Sequence, residues 1–222
     1  MKSIGLFGGT FNPVHLGHLQ VAEEVRAGFG LGKIIFIPSA IPPHKETDGL
    51  ADANDRYKMI VDAISDNELF IASDIEIKRR GRSYTIDTVT HFKNNLPKKT
   101  SCYLIVGLDA FLEIDTWKSY RNFFELIPMI VMTRPPEGTT KIQDPCKAME
   151  KYISSHVSDG YGFLKHKSCF SHPIKQSIYL FNVAPIDISS SKIRTLVKQG
   201  TSIKNLVSDA VGEYIHKKGL YV

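Results

Sequence analysis

The chain has 222 residues, 42% hydrophobic and 23% charged, which is ordinary globular usage and excludes a disordered or collagen-like polypeptide. That length corresponds to one domain, or one enlarged domain, able to bury a core without staples. Lysine and arginine number 28 against 23 aspartates and glutamates, a formal charge of +5 that favours anionic partners: a nucleotide or a nucleic acid would suit it, and so would a plain solvated basic surface.

No apolar run approaches the ~18–20 residues of a membrane span. The longest, Phe123 to Met132, is interrupted by Glu125 and Pro128. The N-terminus lacks the apolar stretch of a signal peptide. Cys102, Cys146 and Cys169 are too few and too scattered for a disulfide framework. A cytoplasmic setting without a membrane partner is the expectation. Oligomeric state is left open, a homo-oligomer included.

In chain order, Ser3 to Phe7 reads as a short buried strand ended by Gly8 and Gly9. Leu16 to Phe29 carries Leu19, Ala22, Val25 and Phe29 at spacings of three and four, a helical pattern. Lys33 to Pro38 is a continuously apolar strand, the type buried on both faces of a parallel sheet. Asp52 to Ser65 reads as a helix with Tyr57, Ile60, Val61 and Ile64 on one side, and Leu69 to Ile77 as a strand. Tyr84 to Asn94 is a helix stopped by Pro97. Cys102 to Val106 and Met129 to Thr133 are further strands, with a helix after Gly107.

Glu137 to Gln176 has a short helical stretch, Cys146 to Ser155, and otherwise no clear period. We read 137–176 as an insertion within a single 1–222 domain. Ser177 to Val183 returns to strand, and two helices close the chain. Strands alternating with helices indicate an α/β fold, doubly wound around a mainly parallel sheet, with C-terminal helices. The first turn from strand to helix is where such sheets bind ligands.

That turn reads Gly8-Gly9-Thr10-Phe11-Asn12-Pro13-Val14-His15-Leu16-Gly17-His18. Gly8 and Gly9 let the backbone approach a ligand closely. Thr10 and the helix start offer hydroxyl and N–H donors to a phosphate. His15 and His18, three apart, share one helix face and suit a polyphosphate. A glycine turn with two surface histidines is the plain alternative. A Walker loop is excluded because no Gly-Lys-Ser/Thr follows.

Near the C-terminus, Ile188-Ser189-Ser190-Ser191-Lys192-Ile193-Arg194 opens another helix. Its serines can cap free N–H groups, or with them hold a phosphate. Arg194, one turn in, adds a charged fork. Taken alone, a capped helix with a surface arginine is the better reading. The Lys78-Arg79-Arg80-Gly81-Arg82 cluster raises a nucleic-acid-binding module as the alternative from another class, but it leaves both phosphate motifs unexplained. His166, Cys169 and His172, with Cys146, have a spacing that could serve a metal; a solvated loop is the better reading.

The glycine–histidine segment resembles the signature of the nucleotidyltransferase superfamily related to class I aminoacyl-tRNA synthetases. The Ile-Ser-Ser-Ser-Lys-Ile-Arg segment is similar to that superfamily's second motif, with Ser191 in place of Thr. Three further stretches resemble one branch, the bacterial nicotinate-nucleotide adenylyltransferases: Pro42-Pro43-His44-Lys45, Ser83-Tyr84-Thr85-Ile86-Asp87-Thr88, and Gly107-Leu108-Asp109 followed by Trp117. Asn12, Leu108 and Pro136 depart from the usual Asp, Ala and Gly.

The resemblance implies a Rossmann-like fold and transfer of AMP from ATP to nicotinate mononucleotide, with Mg²⁺ carried on ATP. It implies catalytic roles for His15, His18, Lys45 and Arg194. ATP would meet Gly8, Gly9, Thr10, Phe11, Gly17, Gly107, Asp109, Ile188, Ser190, Ser191 and Arg134. The acceptor would meet His44, Lys45, Ser83, Tyr84, Thr85 and Trp117. No nucleic-acid partner is implied.

Overall fold

The structure, a computed structural model, describes residues 3–42, 49–133 and 142–222. His44, Lys45, Arg134 and Pro136 lie outside the described residues. In chain order the elements are β1 (Ser3–Gly9), α1 (Leu16–Gly28), β2 (Lys33–Pro38), α2 (Ala53–Ala63), β3 (Phe70–Ala72) and α3 (Ile75–Arg79). They continue with α4 (Thr85–Asn95), β4 (Ser101–Gly107), α5 (Leu108–Phe111), α6 (Tyr120–Leu126), β5 (Met129–Thr133) and α7 (Pro145–His156). Then come β6 (Gly162–Leu164), β7 (Cys169–Ser171), β8 (Ile178–Asn182), α8 (Ser190–Lys198) and α9 (Asp209–Lys218).

The eight strands form one sheet in the order β3-β2-β1-β4-β5-β8-β7-β6. β2–β3, β4–β5 and β5–β8 pair in parallel; the β6–β7 and β7–β8 pairs are antiparallel. The apolar runs explain the parallel part. Ile34, Phe36 and Ile37 are buried, as are Leu104, Ile105 and Val106, and Met129, Ile130 and Val131. Such strands leave no polar face for water and need cover on both sides.

Two compact units can be distinguished. One comprises the chain up to Leu6 with Tyr84–Pro185, the other Phe7–Ser83 with Ile186–Val222. In the second unit, α2 and α9 meet through Tyr214, whose hydroxyl donates to Asp55 at 2.8 Å, while Lys218 lies 3.6 Å from the same carboxylate.

Three expectations change. The strand expected over Leu69 to Ile77 is only Phe70–Ala72, and Ile75–Arg79 is helical. The Asp74–Lys78 ion pair across one helical turn supports that short helix. The buried face of α2 is Arg56, Met59 and Ile60, with Tyr57 and Val61 half-exposed. The 142–176 stretch is not a solvated loop at its cysteine. Cys169 stands in β7 with 2% exposure, and burial raises its thiol pKa. His172 accepts from the Ile174 and Lys175 amides at 3.2 Å, which closes the following turn.

Candidate active site

The loop from β1 to α1, with the glycine–histidine segment, lies within the second unit. His15 is the N-cap of α1, in extended backbone, and its N–H donates to His18 Nδ1 at 3.2 Å. The two imidazoles stack, centroids 3.6 Å apart at 26°. Phe11 packs its ring against His18 at 5.0 Å. A Cβ on Gly17 would lie 3.0 Å from His15 Nδ1 and 3.1 Å from Ile186 Cγ2, so the bare backbone there makes room for the imidazole. A Cβ on Gly9 would meet the Phe11 ring at 3.0 Å, whereas one on Gly8 would meet nothing within 4 Å. Phe11 itself sits in the left-handed region at φ 49°, a conformation that persists only where neighbours over-determine it.

Hydrogen bonds tie this loop to the segments after β2 and before α2. Arg56, fully buried, donates to the carbonyls of Thr10 (2.7 Å), Ala51 (2.9 Å) and Ala40 (3.1 Å). Burial lowers its pKa, opposed by the nearby Tyr221, Asp52 and Glu76. Asn12 donates to the Gly49 carbonyl at 2.9 Å, and its Oδ1 accepts from the Ala51 amide and from the Tyr221 hydroxyl. An aspartate could not make the Gly49 bond, which gives the Asn12 departure a physical reason. Burial pushes the Tyr221 phenol up, so it stays a proton donor.

The second motif reaches this same loop. Arg194 Nη1 donates to the Asn12 carbonyl at 3.0 Å, and Ser190 Oγ to the Pro13 carbonyl at 2.8 Å. Ser189 is the N-cap of α8 and accepts from the Lys192 amide. Ser191 is exposed on its first turn, and Ile188 is half-buried just before it. Ser83 closes the unit: its hydroxyl accepts from the Ala40 amide at 2.7 Å, and its N–H donates to Ile41. Ser83 is therefore not a helix cap; Tyr84 is the N-cap of α4.

Tyr84, Thr85, Gly107, Asp109 and Trp117 belong to the first unit. Thr85 is the first residue of α4, half-buried. Lys118 stands 4.6 Å over the Tyr84 ring and pairs with the Asp87 carboxylate at 3.1 Å. Trp117 is half-buried at the end of a 3-10 turn, Ile114–Thr116, its ring edge-on to Phe123 at 5.8 Å. Asp109 is exposed on the first turn of α5. A Cβ on Gly107 would come 2.5 Å from its Oδ1, so glycine leaves that carboxylate its place.

The structure thus gathers Gly9, Thr10, Phe11, His15, Gly17, His18, Ser190 and Arg194 about one loop, and Tyr84, Thr85, Trp117 and Lys118 about another locus. Sequence reasoning missed Arg56, Tyr221 and Lys118. Only Arg56 left a signal, a charge at i, i+3, i+4 spacing with Met59 and Ile60 on the inner face of α2.

The cytidylyltransferase-like family model matches residues 6–196. A protein of Geotalea uraniireducens named "Probable nicotinate-nucleotide adenylyltransferase" is 37% identical over 218 residues, 98% of this chain and 97% of that one. One of the same name from Desulfitobacterium hafniense is 39% identical over 220 residues, 99% and 96% of the two chains. The solved structure of Plasmodium falciparum nicotinic acid mononucleotide adenylyltransferase complexed with NaAD shares the fold, with a TM-score of 0.73 at 21% identity over 100% of this chain and 98% of that one. The chain belongs to the nicotinate-nucleotide adenylyltransferases, within the cytidylyltransferase-like family.

Proposed function

We propose that the chain joins ATP and nicotinate mononucleotide into nicotinate adenine dinucleotide, releasing pyrophosphate, a step of NAD biosynthesis. An oxygen of the acceptor phosphate attacks the α-phosphorus in line. The bond from that phosphorus to the bridging oxygen breaks, and pyrophosphate leaves with the electron pair. The acceptor brings its own nucleophile, so the enzyme's task is positioning and charge stabilisation.

The observation that carries the reading is the arrival of Ser190 and Arg194, from the far end of the chain, on the carbonyls of Pro13 and Asn12 in the histidine loop. Arg194 commits one donor to that loop; a guanidinium has five, and the others serve phosphate oxygens. His15 and His18 donate to the charge that develops on the phosphates. Gly8, Gly9, Thr10, Phe11, Gly17, Ile188 and Ser191 line the ATP side, with Arg134 as a further contact. Gly107 and Asp109 serve the nucleotide ribose. Lys45 and His44 meet the acceptor phosphate.

Magnesium enters as part of the substrate, MgATP, and offsets charge on the leaving pyrophosphate. The donors about the loop are imidazole, hydroxyl and guanidinium groups, which suit phosphate oxygens. Among the described residues no group of three or more His, Cys, Asp or Glu is placed to hold a metal. That donor set fits a cation carried on phosphates and water.

On the acceptor side, Trp117 faces the pyridine ring. The N–H groups at the start of α4, with the Thr85 hydroxyl, receive the carboxylate. An amide brings N–H groups that cannot pair with those donors. Nicotinate mononucleotide should therefore be preferred over its amide by at least about tenfold, the ratio 1.4 kcal/mol gives. Pyrophosphate release from ATP with nicotinate mononucleotide, its amide and phosphopantetheine in parallel tests this. Equal use of acid and amide would refute carboxylate recognition; turnover only with phosphopantetheine would refute the acceptor.

A further inference from the structure

The turn that carries Trp117 is tied on both shoulders to one helix that no substrate motif includes. Two residues before it, the Asp115 amide donates to the Tyr152 hydroxyl at 3.1 Å, and that hydroxyl donates back to the Asp115 carboxylate. Three residues after it, the Tyr120 hydroxyl donates to the His156 carbonyl at 3.1 Å. Tyr152 and His156 both belong to α7, one turn apart, and their rings stack at 4.5 Å and 19°. Phe111 packs on Tyr152 from the side of α5 at 5.9 Å.

The helix is itself fixed. Met149 and Ile153 are buried, Asp144 caps the first turn by accepting from the Lys147 amide, and Pro145 opens it. Between the two ties the backbone is strained, with Ser119 at φ 52°, and such a residue needs its surroundings to hold it. Lys118 completes the frame, pairing with Asp87 and covering Tyr84 at the start of α4.

We propose that α7 is a brace for the acceptor ring platform and that Tyr152 is a positioning residue for Trp117. This rests on the reading, given above, that Trp117 faces the pyridine ring. The phenol is suited to the task. Burial and the bond to Asp115 push its pKa up to about 12, so it keeps its proton at neutral pH. It can then accept from the amide and donate to the carboxylate at once. The brace assigns a use to α7: it orients the Trp117 ring.

Trp117 is the only tryptophan, so its emission reports this turn without labelling. In the full-length Tyr152→Phe variant, Trp117 anisotropy should fall and its emission shift. Looser placement should raise the KM for nicotinate mononucleotide by about 5–20-fold, a fraction of what a full ångström of misplacement costs. The KM for ATP should stay within about twofold, because uniform loss of structure would move both. Tyr120→Phe should give the same signature more weakly. Asp115→Asn, which keeps an acceptor for Tyr152, should restore most acceptor affinity relative to Asp115→Ala. If the acceptor quenches wild-type Trp117 but Tyr152→Phe changes neither emission nor acceptor KM, or raises both KM values alike, the brace is wrong. If the acceptor leaves wild-type Trp117 emission unchanged, the stacking reading fails and the brace falls with it.

Discussion

The loop between β1 and α1 and the turn around Trp117 are held by different kinds of bond. At the loop the anchored groups are backbone carbonyls: Thr10 by Arg56, which also holds Ala40 and Ala51 of the adjoining segments, Asn12 by Arg194, and Pro13 by Ser190. The main donor, Arg56, is fully buried and cannot lose its charge at ordinary pH. In the turn the ties are largely side-chain hydroxyls and an ion pair whose lysine is 47% exposed. Exposed pairs contribute ~0–1 kcal/mol and weaken with salt. The loop is therefore the more rigidly built of the two, and on the proposed roles the phosphate side is preorganised while the acceptor side is held more loosely.

The largest effect should come from removing the buried anchor. Arg56→Ala opens a core cavity and leaves three carbonyls unpaired, so urea unfolding should show a loss of about 3–5 kcal/mol. A loss below about 1 kcal/mol would mean that the loop does not depend on Arg56 and would break the contrast.

Next is His18→Ala. Losing one preorganised donor to developing charge costs roughly 100–1000-fold in kcat, with the melting temperature close to wild type because His18 is half-buried. Near-normal turnover of the folded variant would remove the histidines from the chemistry.

Trp117→Ala should act on the other region alone. Stacking on a base is worth ~1–3 kcal/mol, so the acceptor KM should rise by roughly 5–150-fold while the ATP KM holds. A rise confined to ATP would place Trp117 on the nucleotide side.

The smallest effect is an alkaline one. The Tyr221 phenol is pushed up by burial, so between the ordinary tyrosine value and its raised one the folded state keeps a proton that the unfolded state has lost. The unfolded state then binds fewer protons, and stability falls as pH rises above about 10. Tyr221→Phe should lose about 0.5–1.5 kcal/mol at pH 7 with its bond to Asn12, and should fall less steeply than wild type above pH 10. Parallel pH profiles by thermal melting would show that Tyr221 does not titrate with folding.

The two regions also differ in how far the chain announced them. His15, His18, Ser190 and Arg194 stand in contiguous motifs, and the strands around them are uninterrupted apolar runs whose burial follows from composition alone. The tyrosine hydroxyls that support the two regions were not legible. Tyr221 bonds to a residue 209 positions away, and Tyr152 to one 37 away, each by a single hydroxyl that leaves no periodicity. Ile75–Arg79 reads as strand because Ile75 and Ile77 alternate with polar residues, while a five-residue helix is too short to show its own period. The β6–β7 pair is not legible because its strands, Gly162–Leu164 and Cys169–Ser171, are too short to show a pattern.

The proposed direct transfer of AMP from ATP to nicotinate mononucleotide is tested by the fate of the α-phosphate. With α-³²P-labelled ATP and nicotinate mononucleotide, all transferred label should appear in the dinucleotide and none on acid-precipitated protein, at any time after mixing. Label retained on the protein before dinucleotide forms, or ATP consumption with no labelled dinucleotide, would contradict it.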